Sequence, residues 1–490
     1  MLNWVLSNWF LSLLIINYVV ALSAAFFLIR SNQNPRKTVS SLLFLVALPF
    51  LGLGIYYFFG LEYRKSKIFK RKDLNANELI QDWNKRLHVS NDDLDKYEET
   101  FLIDRLKMVK LLRHNQAAPL TLRNNLDVLI NGRSKFDRVF EDIKNAQNHI
   151  HLEYFILSDD HIGTDVIDAL IEAAKRGIEV KIIYDSVGSS ISRANKSRMN
   201  AVGIEYEAFM PVLFSKFTRK ANYRDHRKIF IIDGSIGYIG GVNISDDYVN
   251  EPVNHNGQFW RDTHLRIEGH AVKSLQAQWL LNWYFVKRQD ENYEIPSSYF
   301  PEIDFPENKA VQIAASGPDT DWANIMEALF IAINTAEKSI YITTPYFIPN
   351  EAILTSLKSA ARSGVEIHIM VPKKGDSWAA RYASRSYFQD LLESGIYVHW
   401  YHRGGMLHAK TMVVDDMFCT IGTSNMDYRS FDINFEINAL IYDEEVSQEL
   451  NVQFQKDLEY CEEVLLELWI KRDKANKFKE SFCRLWAPLL

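Results

Sequence analysis

The chain has 490 residues, of which 47% are hydrophobic and 24% are charged, and its formal net charge is −6. This length predicts two or three folded domains, and this composition excludes a disordered or low-complexity protein. Cys419, Cys461 and Cys483 are too widely spaced for a disulfide framework or a zinc site, which excludes a disulfide-stapled scaffold.

The first part of the chain is predicted to lie in a membrane. Residues 1–29 contain no charged side chain, and neither do residues 38–61. Each run is longer than the about 20 apolar residues that cross a hydrocarbon core. A cleaved signal peptide would need basic residues at the extreme N-terminus, whereas the first basic residue is Arg30. We therefore expect two transmembrane helices within residues 1–61.

A basic cluster, RKSKIFKRK, follows the second run at residues 64–72. Of the 56 basic and 62 acidic residues, nine and one lie in residues 1–72, which leaves 47 and 61 for the rest, a net charge of −14. An acidic body argues against nucleic acid as a partner, because nucleic-acid binders carry a basic footprint. The cluster favours an anionic membrane surface. Residues 62–135 are expected to form this basic collar and a helical connector.

From residue 136 onwards, short apolar runs alternate with helical patterns. HIHLEYFIL and IEVKIIYD are typical of strands, and DVIDALIEAAKRG between them is typical of a helix. The same order recurs as IYITTPYFI, AILTSLKSAARSG and VEIHIMVP. Such alternation indicates βαβ units. Residues 136–310 and 311–490 are therefore predicted to be two copies of one α/β domain, related by a pseudo-twofold axis, with parallel or mixed sheets.

The most specific signal is a polar pattern that occurs twice, 182 positions apart. HRKIFIIDGSIGYIGGVN spans residues 226–243, and HAKTMVVDDMFCTIGTSN spans residues 408–425. The matching polar pairs are His226 and His408, Lys228 and Lys410, Asp233 and Asp415, and Asn243 and Asn425. Within each strand, histidine and lysine two positions apart point to the same face.

These residue types suit a phosphodiester. A lysine supplies positive charge to the nonbridging oxygens, an asparagine adds an amide donor, and a histidine can act as nucleophile or general acid. One copy supplies half of such a site. Two copies that face each other would surround one phosphorus with two residues of each type.

The duplicated HxK(x)4D(x)6GxxN pattern resembles the phospholipase D superfamily. The resemblance implies that one histidine attacks phosphorus while the other protonates the leaving alcohol, and family analogy favours His226 as the nucleophile without deciding it. It implies no metal and no cofactor, since lysines and asparagines balance the phosphate charge, so activity is expected to persist in a chelator. Asp233 and Asp415 complete the two catalytic motifs, where they are implied to hold the strand and its turn.

The resemblance also implies a downstream carboxylate that orients each histidine. In the second copy, Glu436 in DINFEINAL has this position. In the first copy, Asp262 in WRDTHLRI is expected to have it, after a longer insertion.

Other segments make the resemblance more specific. Bacterial cardiolipin synthases have segments similar to NPRKTVSSLLFLVALPFLGLGIYYFFG, TTPYFIP, GTSNMDYRSFDINFEIN and ESFCRLWAPLL. This implies an enzyme that acts on phosphatidylglycerol among anionic membrane lipids, and that condenses two molecules into cardiolipin and glycerol. The residues alone do not show whether the acceptor is an alcohol or water. A membrane-bound phospholipase D and a membrane-tethered binding protein with inactive motifs therefore remain alternatives.

The distribution of basic residues predicts the orientation of the chain. The loop between the apolar runs is flanked by Arg30 and contains Arg36 and Lys37, whereas residues 64–72 hold six basic residues. Positive residues near span ends are retained in the cytoplasm. We expect a two-span protein of a bacterial cell membrane with a cytoplasmic catalytic body. An oligomer is compatible with the sequence, which does not specify one.

Overall fold

The structure is a computed structural model that describes residues 8–30, 35–54, 102, 105–116, 118–210, 223–250, 259–287, 295–303 and 308–489. Among these residues, helix α1 (Trp9–Arg30) is the one helix long and apolar enough to cross a membrane. Helix α2 (Pro35–Ala47) has 13 residues, and the final part of the predicted second span, residues 55–61, lies outside the described residues. The structure thus supports one apolar helix of membrane length, and the second span is not confirmed.

The remaining elements alternate along the chain. Within the described residues, the strands are β1 (Leu120–Thr121), β2 (Asn124–Ile130), β3 (His149–Tyr154), β4 (Glu179–Asp185), β5 (Glu205–Phe209), β6 (Lys228–Ile232), β7 (Ile236–Gly240), β8 (Phe259–Arg261), β9 (Thr263–Gly269), β10 (Ala310–Ser316), β11 (Ser339–Thr343), β12 (Phe347–Ile348), β13 (Glu366–Pro372), β14 (Tyr397–Tyr401), β15 (Gly405–Leu407), β16 (Thr411–Val414), β17 (Phe418–Gly422), β18 (Met426–Asp427), β19 (Glu436–Tyr442) and β20 (Cys461–Glu463). The helices are α3 (Leu106–Gln116), α4 (Asn131–Asn145), α5 (His161–Lys175), α6 (Arg193–Ala201), α7 (Ala271–Lys287), α8 (Asn324–Asn334), α9 (Glu351–Arg362), α10 (Trp378–Arg385), α11 (Phe388–Leu392), α12 (Tyr428–Asp432), α13 (Glu444–Leu458), α14 (Leu466–Ile470) and α15 (Lys474–Arg484).

Each copy forms one mixed sheet, and the two sheets have the same strand order. In the described residues the first sheet runs β2-β9-β7-β6-β3-β4-β5, and the second contains β10-β19-β17-β16-β11-β13-β14 with β1 and β20 at its two edges. In both sheets the last three of these seven strands pair in parallel, and the other neighbours pair antiparallel. This shared order confirms the α/β repeat.

The first sheet begins earlier in the chain than the sequence predicts. Strand β2 lies within residues 62–135, the predicted connector, and pairs with β9 from Asn124 to Ile130. Strand β1 of the same segment pairs with β10 in the second sheet. Helix α3 packs Leu106 and Leu112 into the core of the second copy. The described part of the connector therefore contacts both copies.

The two sheets pack against each other through a shared apolar core. Ile229 and Ile231 of β6 belong to the same buried cluster as Ile421 of β17, Ile437 of β19 and Trp279 of α7. Full burial of a large apolar side chain contributes about 1.5–3 kcal/mol, so this core holds the copies in one orientation. That orientation brings the beginnings of β6 and β16 together.

Candidate active site

The two histidine segments are held by matching backbone contacts across the copies. The His226 N–H donates to the Phe435 carbonyl at 3.0 Å, and the His408 N–H donates to the Arg261 carbonyl at 2.7 Å. Arg261 and Phe435 directly precede Asp262 and Glu436 in the sequence. Strand β15, which precedes His408, also pairs in parallel with β8 of the first copy. Each copy therefore positions the histidine of the other, as a pseudo-twofold axis requires.

Each histidine contacts a carboxylate from the opposite copy. His226 Nδ1 lies 2.9 Å from Glu436 Oε2, and His408 Nδ1 lies 2.8 Å from Asp262 Oδ2. From chain order, each carboxylate would be expected to contact the histidine of its own copy. In the structure the pairing is crossed, because each carboxylate contacts the histidine of the other copy. A carboxylate at Nδ1 favours a proton on that nitrogen, which leaves Nε2 for an electrophile or a leaving oxygen.

Glu436 lies in a buried network of neutral donors. The Thr423 hydroxyl donates to its Oε2 at 2.6 Å, and the Ser430 hydroxyl donates to its Oε1 at 2.9 Å. Burial raises the pKa of the Glu436 carboxyl, but the charge and hydrogen bond of His226, the hydrogen bond from Thr423 and the charge of Lys228 outweigh burial, so the pKa is lowered. Glu436 is therefore ionised at neutral pH, and it favours the protonated form of His226.

Asp262 is equally buried but has a different set of partners. Its Oδ1 accepts the Thr263 N–H at 2.7 Å. Burial raises the pKa of the Asp262 carboxyl, but His408 and Lys410 outweigh that effect and lower it. Burial and the neighbouring Lys410 lower the pKa of His408 to about 4, against the opposing effect of Asp262. This value makes His408 neutral at physiological pH in the free protein, and an anionic phosphate beside it would favour the protonated form that a general acid needs.

The two motif lysines are buried beside the histidines. Lys228 Nζ donates to the His226 carbonyl at 2.7 Å, and Lys410 Nζ donates to the His408 carbonyl at 2.5 Å. Burial and the charge of Lys410 lower the pKa of Lys228 to about 7. Burial lowers the pKa of Lys410 to about 8. An anion between them would restore both ammonium groups, because an opposite charge favours the charged form.

The two motif asparagines lie in the same region but have unequal partners. Asn243 Nδ2 donates to the Tyr248 hydroxyl at 2.6 Å, and its Oδ1 accepts the Ile156 N–H at 3.2 Å. Asn425 Nδ2 donates instead to Asp427 Oδ2 at 2.9 Å. The structure thus brings His226, Lys228, Asn243, Glu436, His408, Lys410, Asn425 and Asp262 into one buried polar region between the sheets.

Comparison with known proteins agrees with this arrangement. A family model described as "Cardiolipin synthase, PLD-like domain" matches residues 139–265 and 329–458, one motif in each stretch. Cardiolipin synthase 2 of Staphylococcus epidermidis is 38% identical over 489 residues and covers 99% of both chains. Cardiolipin synthase of Staphylococcus aureus is 38% identical over 497 positions, which span 100% of this chain and 98% of that one. The chain belongs to the cardiolipin synthase family.

A solved structure of a more distant protein supports the fold alone. Phosphatidylserine synthase of Haemophilus influenzae aligns with a TM-score of 0.59 over 78% of this chain and 99% of that chain, at 14% identity. Together with the internal repeat, this supports a two-copy α/β fold for this member of the cardiolipin synthase family, and the matched family model describes each copy as PLD-like.

The motif aspartates lie at the other end of the strands from the histidines. Asp233 Oδ1 accepts the N–H groups of Asn148 and His149 at 2.7 and 3.1 Å. Asp415 Oδ1 accepts the N–H groups of Lys338 and Ser339 at 2.7 and 3.0 Å. In this member of the cardiolipin synthase family, both carboxylates therefore bind the start of the neighbouring strand, and neither contacts a motif histidine.

Three further residues at the site were missed by the sequence analysis, namely Tyr248, Asp427 and Ser430. The ring centroid of Tyr248 lies 5.4 Å from that of His408. Burial raises the pKa of Asp427 to about 6. The same offset of 182 positions aligns Tyr248 with Ser430 and Ser245 with Asp427. Extending the repeat five residues beyond each asparagine would have found these positions and the asymmetry between the half-sites.

Proposed function

We propose that this enzyme transfers a phosphatidyl group from one phosphatidylglycerol to a hydroxyl of a second, which yields cardiolipin and glycerol. The observation that carries the proposal is the crossed pair of histidine–carboxylate contacts in one buried site. Two such pairs supply one nucleophile and one general acid at the same phosphorus, and full-length similarity to cardiolipin synthases supports this substrate class.

The proposed reaction has two displacements at phosphorus. In the first, Nε2 of one histidine forms a P–N bond, the P–O bond to glycerol breaks, and the other histidine gives its proton to the glycerol oxygen. In the second, a hydroxyl of another phosphatidylglycerol attacks phosphorus, its proton passes to that second histidine, and the P–N bond breaks. Lys228 and Lys410 stabilise the nonbridging oxygens electrostatically.

Four further side chains would position the phosphate and the two histidines. Asn243 and Asn425 would donate to the phosphate from the two half-sites. Glu436 and Asp262 would orient His226 and His408 and stabilise whichever imidazole is protonated. Family analogy favours His226 as the nucleophile, and isolation of a phosphohistidine at position 226 or 408 would decide the assignment.

Product analysis tests the proposed reaction. Purified enzyme incubated with phosphatidylglycerol alone should release cardiolipin and glycerol in equal amounts. Accumulation of phosphatidic acid would indicate a phospholipase D, and absence of turnover would indicate a binding protein. Enzyme carrying His226→Ala, purified in the same way, controls for contaminating activity.

The lysine pKa values predict how activity depends on pH. In the free enzyme Lys228 and Lys410 lose their protons as the pH rises through about 7 and about 8, so the phosphate loses its positive partners. Bound phosphodiester keeps the lysines charged, so kcat/KM should fall between pH 6.5 and 9 much more than kcat does. Initial rates at several lipid concentrations and pH values measure this. A flat kcat/KM over that range would contradict the prediction.

We further infer that residues 1–61 cross the membrane twice and leave the catalytic body in the cytoplasm. The uncharged runs 1–29 and 38–61 and the basic residues 64–72 support this orientation. A fluorescent protein fused after Leu490 should fluoresce, and alkaline phosphatase fused at the same point should be inactive. The opposite pair of results would place the body outside the cytoplasm.

A further inference from the structure

Helix α15, close to the C-terminus, presents its apolar side to solvent. Phe478 is 72% exposed, Phe482 46% and Leu485 77%. Their spacing of four and three residues places them on one face of the helix. The ring centroids of Phe478 and Phe482 are 6.4 Å apart, as are those of Phe482 and Trp486. We call these four residues, of which Leu485 and Trp486 directly follow the last helical residue, the α15 apolar face.

Buried polar contacts determine which side of α15 faces outward. Glu480 is 1% exposed and accepts from Arg385 Nε at 3.2 Å and from Arg472 Nε at 2.8 Å. Cys483 is buried in the core of the second copy. Rotating the helix to bury its aromatic residues would break a buried ion pair, which is costly because a charge would be left without a partner. These buried contacts therefore keep the α15 apolar face exposed to solvent.

The charge around this face differs from that of the body. Residues 471–484 contain six basic and two acidic residues, and one of the acidic residues, Glu480, is buried in ion pairs. Residues 73–490 as a whole carry 47 basic and 61 acidic residues. A helix that exposes Phe, Leu and Trp beside Lys or Arg is typical of helices that lie in a membrane interface. Its positive charge complements anionic lipid headgroups.

The α15 apolar face is continuous with segments that carry site residues. The turn Ala487–Leu489, immediately after α15, packs against α12, which lies between Asn425 and Glu436. Helix α10 packs along α15 and begins at Trp378, which is 56% exposed. A surface that contacts lipid here would lie next to the site that must receive a lipid phosphate.

We propose that the α15 apolar face inserts into the headgroup boundary of an anionic bilayer and holds this side of the catalytic body, where α12 lies, against the membrane surface. It provides a membrane contact separate from the N-terminal segment. Acyl chains of a substrate lipid remain in the bilayer while the phosphate reaches the histidines. The docking itself does not require turnover, so it can be tested independently of the proposed reaction.

Photo-crosslinking in the full-length chain tests the contact directly. A benzophenone amino acid replaces Phe482, and the protein is reconstituted in vesicles of phosphatidylglycerol and phosphatidylcholine. The control replaces Tyr397, which is 44% exposed and stacks on His368, on the other face of the second sheet from α15. We expect lipid adducts at position 482 and at most traces at position 397. Equal adducts at both positions, no adduct at 482, or a cross-link to residues 55–101 or to a second copy would overturn the proposal.

Rates with two forms of substrate provide a functional readout. The double substitution Phe478→Ser with Phe482→Ser should lower the rate on long-chain phosphatidylglycerol vesicles by about tenfold, because interfacial binding scales with buried apolar area. The rate on a soluble short-chain phosphatidylglycerol should be unchanged, which also reports correct folding. Val452→Ser, at a residue that is 53% exposed on α13, is the matched control. Equal rates of the double variant and the wild type on vesicles would contradict the docking role.

Discussion

Replacing either His226 or His408 with alanine should lower the turnover of cardiolipin formation by roughly 10⁴-fold or more, as for other residues that act as one catalytic unit. Each histidine is needed in both displacements, since one carries the phosphatidyl group while the other moves the proton. For the same reason the double variant should be no slower than the slower single variant. Initial rates of glycerol release measure all three.

His114→Ala is a suitable control for these variants, because His114 is exposed on α3 and lies outside the site. Thermal unfolding of each variant separates loss of chemistry from loss of fold. Near-normal turnover of either single variant would refute the two-histidine mechanism. Losses that multiply in the double variant would show that the histidines act in separate steps.

Glu436→Gln and Asp262→Asn should each lower turnover by about 10³–10⁴-fold, because an amide no longer holds the imidazole in the correct tautomer or stabilises its charge. In the structure each carboxylate contacts the histidine of the opposite copy, and measurements of activity alone would not reveal this pairing. Burial lowers the pKa of His226, and Glu436 partly offsets this effect. Without Glu436 the pKa of His226 should fall further, while that of His408 stays unchanged.

Carbethoxylation, followed residue by residue by mass spectrometry over a range of pH, measures this pattern. The midpoint for His226 should move to lower pH in Glu436→Gln, and the midpoint for His408 should move to lower pH in Asp262→Asn. Thr423→Val, which removes one hydrogen bond to Glu436 and keeps its charge, should give a smaller shift at His226. A shift at His408 in Glu436→Gln would contradict the crossed contacts.

The polar residues of the site could be predicted because their signal is local and repeated. The strand pattern predicts that His226 and Lys228 share a face, and the offset of 182 positions identifies their counterparts His408 and Lys410. In the structure the strands begin just after the histidines, at Lys228 and at Thr411. Strand β2 was missed because NNLDVLI carries polar residues. Asn124 is buried there because its side chain bonds the Lys309 carbonyl at 2.8 Å and the Ala271 N–H at 2.7 Å, both far along the chain.

By itself, the sequence determined the repeated α/β unit, the motif residues and the apolar N-terminus, since each depends on local periodicity or on an internal repeat. Only the tertiary structure decided that Glu436 contacts His226 and that Asp262 contacts His408. It also decided that Glu480 is buried, so that the aromatic side of α15 faces solvent. These outcomes depend on which distant groups meet when the two sheets and the C-terminal helix pack. The residue pattern within one segment does not specify these contacts, because the partner of a buried charge is whichever group the folded chain places next to it.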